Sequence, residues 1–84
     1  MVQDVKAIIE AALPDATVYV QSPDNTHFQA IVVSESFEGM PLVRQHQSVM
    51  RALKEAMRED VHAMQLNTFT PGVWEQKKHE FGIA

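Results

Sequence analysis

The residues of this chain best suited to chemistry are its histidines and arginines. Histidine occurs at positions 27, 46, 62 and 79. A neutral imidazole ligates transition metals, and it changes charge close to neutral pH. His27 and His62 open two apolar runs that read as strands, 28–33 and 61–69. If those strands lie side by side and parallel, their starting ends share one rim of a sheet. The two imidazoles then meet there as half of a metal site. Two ligands do not close a tetrahedral shell. The remainder has to come from a partner, a small molecule or water.

Each histidine also has an ordinary reading. His27 can be a polar residue at a loop mouth. His62 is in phase with Met64 and Leu66, which is the place of a hydrogen-bonded core histidine. His46 falls on the apolar stripe of a helix, where packing or hydrogen bonding suits it. His79 lies near the C-terminus and is assigned no role.

Arg44, Arg51 and Arg58 recur every seven residues, with Lys54 beside them. This spacing places them along one stripe of a helix and makes them a candidate surface for a partner protein or for nucleic acid. Glu55 and Glu59 lie close by, so a solvated face with local ion pairs is the alternative. No aromatic residue interleaves with the stripe, which weakens any case for stacking on single strands. The chain has no Gly-rich phosphate loop, no zinc-protease helix and no Gly-x-Ser-x-Gly elbow. Ser22, Ser34, Ser36 and Ser48 have no evident Asp–His companions, so nothing supports nucleophilic catalysis.

The elements that must position these residues follow from periodicity. In 2–13, Val5, Ile8, Ile9, Ala12 and Leu13 recur at helical spacing. Pro14 stops that helix. Segments 16–21 and 28–33 are β-like. Ser22-Pro23-Asp24-Asn25-Thr26 between them is rich in turn formers, which predicts a hairpin with a longer loop. A turn is expected at Phe37-Glu38-Gly39. The strongest helix is 41–58, with Pro41 at its first position and an apolar stripe of Leu42, His46, Val49, Leu53 and Met57. Residues 61–69 alternate as a half-buried strand. Thr70 and Pro71 open a short last helix to about His79, with Val73 and Trp74 as its docking residues.

A strand–helix–strand unit implies a right-handed crossover and parallel neighbours. The expected fold is therefore α+β: a three-stranded mixed sheet with helices packed on one face, in the order α-β-β-α-β-α. The chain of 84 residues is a single domain, with 45% hydrophobic and 21% charged residues. So short a chain has little room for both a core and a deep substrate cavity, which disfavours a self-contained enzyme. It contains no cysteine. Disulfides, a thiol nucleophile and a cysteine-built cluster made by this chain alone are excluded. A reducing cytoplasmic setting suits such a domain. The net charge of −4 makes it a poor general binder of nucleic acid. No signal peptide and no membrane span are predicted.

Several blocks, taken in order, resemble the BolA family, in particular its short bacterial, IbaG-like branch. They are Thr26-His27-Phe28-Gln29-Ala30, Phe37-Glu38-Gly39-Met40, Leu42-Val43-Arg44-Gln45-His46-Gln47-Ser48-Val49, Val61-His62-Ala63-Met64-Gln65-Leu66 and Thr68-Phe69-Thr70-Pro71. The resemblance covers nearly the whole chain. It implies a fold related to the class II KH domain and a monothiol glutaredoxin of the CGFS type as partner. It further implies a two-iron, two-sulfur (2Fe-2S) cluster held between the two proteins. A glutaredoxin cysteine and a glutathione thiol serve one side of that cluster. The family's C-terminal histidine ligand maps onto His62. The second ligand in many relatives is a cysteine or histidine in the hairpin loop. Here the loop has neither, which leaves His27, or Asp24 through oxygen, as the alternatives.

Such an adaptor is expected to be non-enzymatic and to hold no cofactor by itself; whether it dimerises when alone is left open. The family is also linked to transcriptional control, which makes nucleic-acid binding through the arginine stripe the second expectation. A KH nucleic-acid site uses a Gly-x-x-Gly loop, whereas Glu38-Gly39-Met40-Pro41 has one glycine.

Overall fold

Helix α1 (Val2–Ala12) forms because Val5, Ile8 and Ile9 fall on one face. Val5 and Ile9 are buried and Ile8 packs beside them. The last helical bond, from Leu13 N–H to the Ile9 carbonyl at 2.9 Å, precedes Pro14. The computed structural model describes residues 2–22, 27–57 and 64–82. Strands β1 (Thr17–Gln21) and β2 (Phe28–Val33) follow, then a 3-10 turn (Glu35–Phe37), α2 (Leu42–Met57), β3 (Met64–Phe69), α3 (Pro71–Lys77) and a closing 3-10 turn (Lys78–Phe81).

The sheet order is β1-β2-β3. β1 and β2 are antiparallel, with Thr17 opposite Val33 and Gln21 opposite Gln29. β2 and β3 are parallel, with Phe28 opposite Met64 and Val33 opposite Phe69. The expected mixed sheet and element order are therefore found. Of the expected third strand over 61–69, residues 64–69 are found as β3, and residues 61–63 lie outside the described residues.

One face of the sheet carries Val18, Val20, Ala30, Val32, Leu66 and Thr68 against α1 and α2. Val5, Ile9, Val18, Val32, Phe37, Val49 and Leu53 make the core. Full burial of each large apolar side chain contributes roughly 1.5–3 kcal/mol over leaving it in water. The helical cover on this face is α1 and α2. The last helix sits differently: Trp74 lies 5.7 Å from the Tyr19 ring and 5.3 Å from the Phe69 ring. Tyr19 and Phe69 belong to the opposite face by strand alternation.

Three local expectations are corrected by packing. Pro41 is not the first helical residue. It precedes α2, and its carbonyl accepts from the N–H groups of Arg44 (2.9 Å) and Gln45 (3.1 Å). The predicted stripe on α2 begins too early, because Leu42 is 59% exposed. Gln45 occupies the core side instead, only 8% exposed. Trp74 docks α3 as expected, but Val73 is 45% exposed, because only one side of so short a helix meets the sheet. Thr70 stands at the N-cap in extended conformation with Pro71 after it, and its hydroxyl makes no capping bond.

Two polar clamps hold the layers. Gln45 Nε2 donates to the Met40 carbonyl at 2.8 Å, and Thr68 Oγ1 donates to Gln45 Oε1 at 2.7 Å. This ties α2 to β3 inside the core. The second clamp joins the α1–β1 turn to the first 3-10 turn. Asp15 accepts from the Ser34 hydroxyl (2.9 Å), Glu35 N–H (2.9 Å) and the Ser36 hydroxyl (3.2 Å). Ser34 Oγ also caps the turn by accepting from Ser36 N–H at 3.0 Å. The Ser34 hydroxyl is the main cause that holds the Asp15 carboxyl below its usual range. A desolvation cost opposes this, and the Glu35 N–H and Ser36 hydroxyl add to it. The chain leaves this turn through Gly39, whose φ of 74° suits a residue without Cβ.

Two predictions follow from the clamps. Gln45→Leu strands the buried Thr68 hydroxyl and lowers unfolding free energy by about 1–3 kcal/mol in urea denaturation. Adding Thr68→Val recovers most of that loss, and a purely additive double variant contradicts the pairing. For Asp15, the folded pKa is depressed. Its ionised form therefore stabilises the fold above the unfolded value of about 3.9, and that contribution fades as pH falls below it. Asp15→Asn should thus lower the urea midpoint at neutral pH, with the gap to the unmodified chain closing below about pH 4.

Candidate functional site

The parallel pairing of β2 with β3 puts the starts of both strands at one rim of the sheet. Phe28 and Met64 are Cα partners there. His27 immediately precedes Phe28 and is exposed. Its backbone is held at the mouth of the hairpin, where the Ser22 hydroxyl donates to the His27 carbonyl at 2.9 Å. Gln21 and Gln29 close the β1–β2 ladder beside it. The imidazole of His27 is thus carried on anchored backbone at a solvent-facing rim.

His62, Asp24 and Arg58 lie outside the described residues. His62 is two residues before Met64 in the sequence. Among the described residues, no three histidine, cysteine, aspartate or glutamate side chains group to hold a metal. His46 is half-buried on α2, in keeping with a packing role, and His79 is exposed in the last turn.

A second surface lies along α2. Arg44, Gln47, Ser48 and Arg51, at helical spacing, line a shallow depression of about 240 Å³ with Met40. Both arginines are exposed. The Ser48 hydroxyl donates back to the Arg44 carbonyl at 2.9 Å. Among the described residues neither guanidinium forms an ion pair; the pairs formed are Lys77–Glu80 and Lys78–Glu75 at the other end of the chain. The local pairing expected for a plain solvated face is thus not what Arg44 and Arg51 show. Two unneutralised guanidiniums beside the Gln47 amide form a donor-rich strip suited to phosphate or carboxylate.

Sequence reasoning brought out His27 and the arginine stripe, but it missed Gln45, Thr68 and the Asp15–Ser34 clamp. A glutamine within an apolar helical pattern was the one available signal for Gln45. Nothing local marks Asp15, because its partners lie about twenty positions downstream.

Comparison with known proteins agrees with this fold. Residues 7–72 match the family described as BolA-like protein. The chain is 35% identical over 72 residues to the acid stress protein IbaG of Escherichia coli K12, covering 84% of each. It is 29% identical to the DNA-binding transcriptional regulator BolA of Vibrio cholerae, covering 95% of this chain and 85% of that one. Among solved structures, a bolA protein homologue from Coxiella burnetii superposes with a TM-score of 0.75 at 36% identity, covering 89% of this chain and 96% of that one.

Proposed function

The chain belongs to the BolA family, and on that premise we propose that it is a non-enzymatic partner of a monothiol glutaredoxin in iron–sulfur cluster assembly, trafficking or iron sensing. In this reading it lends histidine ligation, from His62 with His27 as the second candidate, to a 2Fe-2S cluster. The thiolates come from the glutaredoxin and from glutathione.

The observation that supports the reading most is the β2–β3 register, which sets the exposed His27 on the rim where β3 begins. The donor chemistry is compatible with a shared site. A chain without cysteine has no thiolate to offer, and thiolates are the usual ligands of such clusters. Imidazole can take one iron while outside thiolates take the rest, as histidine does in Rieske centres. When bound, the cluster supplies electron transfer or is passed on as cargo. The chain's own contribution is an imidazole carried on backbone that the Ser22 hydroxyl holds at the hairpin mouth.

The test is visible-region circular dichroism of cluster-loaded monothiol glutaredoxin titrated with this chain. The spectrum changes on mixing. His62→Ala abolishes that change, and His27→Ala weakens it. A His62→Ala chain that behaves like the unmodified one overturns the ligand assignment.

A second reading is favoured by the unneutralised Arg44 and Arg51 on α2 and by the name of the Vibrio cholerae relative as a DNA-binding regulator. It makes this chain a nucleic-acid-binding regulator that contacts phosphates through α2. Retention of a promoter fragment at about 150 mM salt should then be lost in Arg44→Ala with Arg51→Ala. The slope of log affinity against log salt should fall by about two. Retention that survives the double variant removes this reading.

A further inference from the structure

The sheet face turned away from α1 and α2 takes no part in either reading. Of the three cross-strand rows on this face, two lie beyond the Phe69 row against which Trp74 packs. One row is Gln21, Gln29 and Gln65, and the next is Tyr19, Ile31 and Asn67. Phe81 from the closing turn stands at the side, and these seven residues line a hollow of about 280 Å³. None of the seven bears a formal charge, in a chain with 11 acidic and 7 basic residues.

Much of the hydrogen-bonding capacity in this hollow is unused. Gln29 Nε2 donates to Gln65 Oε1 at 3.3 Å, which leaves the Gln65 amide N–H groups and the Gln29 carbonyl open. The side chains of Tyr19, Gln21 and Asn67 make no hydrogen bond to other described residues. The rings are held from behind. Trp74 lies 5.7 Å from Tyr19 and 5.8 Å from Phe81, and Phe69 lies 5.7 Å from Phe81. The hollow therefore combines braced ring surfaces, an aliphatic floor at Ile31 and several amides.

These features select the occupant. An ion would lose its water against a lining with no counter-charge, which is costly. The volume suits one or two fused rings. Aromatic side chains stack on heteroaromatic rings. A carboxamide presents a donor beside an acceptor, which matches the N6 and N7 edge of adenine bidentately. We propose that this hollow binds a single unpaired purine base, with preference for adenine, while any attached phosphates stay in solvent. The same base chemistry is offered by a free nucleoside and by a base in a single strand.

Trp74 is the chain's one tryptophan and touches two of the lining rings, so its fluorescence reports on the site. The full chain is titrated with adenosine, uridine and a short oligo(dA), and side-chain amide NMR shifts are followed in parallel. Adenosine should give a saturable change that shifts the Gln and Asn amide resonances, with uridine weaker by about tenfold. Gln65→Leu, at an exposed position, should weaken adenosine by about tenfold with the far-UV spectrum unchanged. Ile31→Glu should abolish binding. Tighter binding of oligo(dA) than of adenosine assigns the base to a strand, and equal binding assigns it to a free nucleoside. Absence of a saturable change with both adenosine and oligo(dA), or unaltered affinity in a folded Gln65→Leu chain, overturns the proposal. The hollow contains neither candidate histidine nor either arginine, so its failure leaves both earlier readings standing.

Discussion

Parallel pairing of β2 with β3 is the constraint from which the rest of the molecule follows. Parallel neighbours cannot be joined by a tight turn and need a crossover. Here the crossover contains α2, and α2 in turn has to lie on the sheet it bridges. Its buried side supplies Val49 and Leu53 to the core. Its outer side carries Arg44 and Arg51. The Gln45–Thr68 bond fixes the helix to the strand it leads into. One topological choice thus sets the core, the basic strip and the histidine rim together.

The chain divides its surface by chemistry. The rim at the start of β2 presents imidazole, α2 presents guanidinium, and the far face of the sheet presents amides and rings. A domain this small cannot enclose a deep cavity, and each of these surfaces is open to solvent. With no cysteine in the chain, whatever thiolate chemistry occurs here has to be brought by a partner.

The polar clamps show how a thin core is supplemented. Asp15 and Ser34 join the α1–β1 turn to the first 3-10 turn by hydrogen bonds. Because the carboxylate accepts from two serine hydroxyls and a backbone N–H, its ionised form is favoured and the junction weakens only in acid. The terminal ring cluster of Trp74, Phe69, Tyr19 and Phe81 does the same work on the other face without charge.

Periodicity and turn chemistry by themselves determined the kind and order of the elements, the parallel relation of the last two strands, the position of His27 at a strand start, and the impossibility of a self-made thiolate site. These are local or compositional properties, readable wherever side-chain spacing matches a helix or a strand. Only the tertiary structure decided that Gln45 is inside while Leu42 and Val73 are outside, that Asp15 reaches Ser34, and that Trp74 docks on the sheet face away from α1 and α2. The reason is that burial and hydrogen-bond partners are set by which surfaces meet. A buried amide is tolerated only where a distant hydroxyl and a carbonyl arrive to satisfy it, and no spacing along the chain announces that arrival.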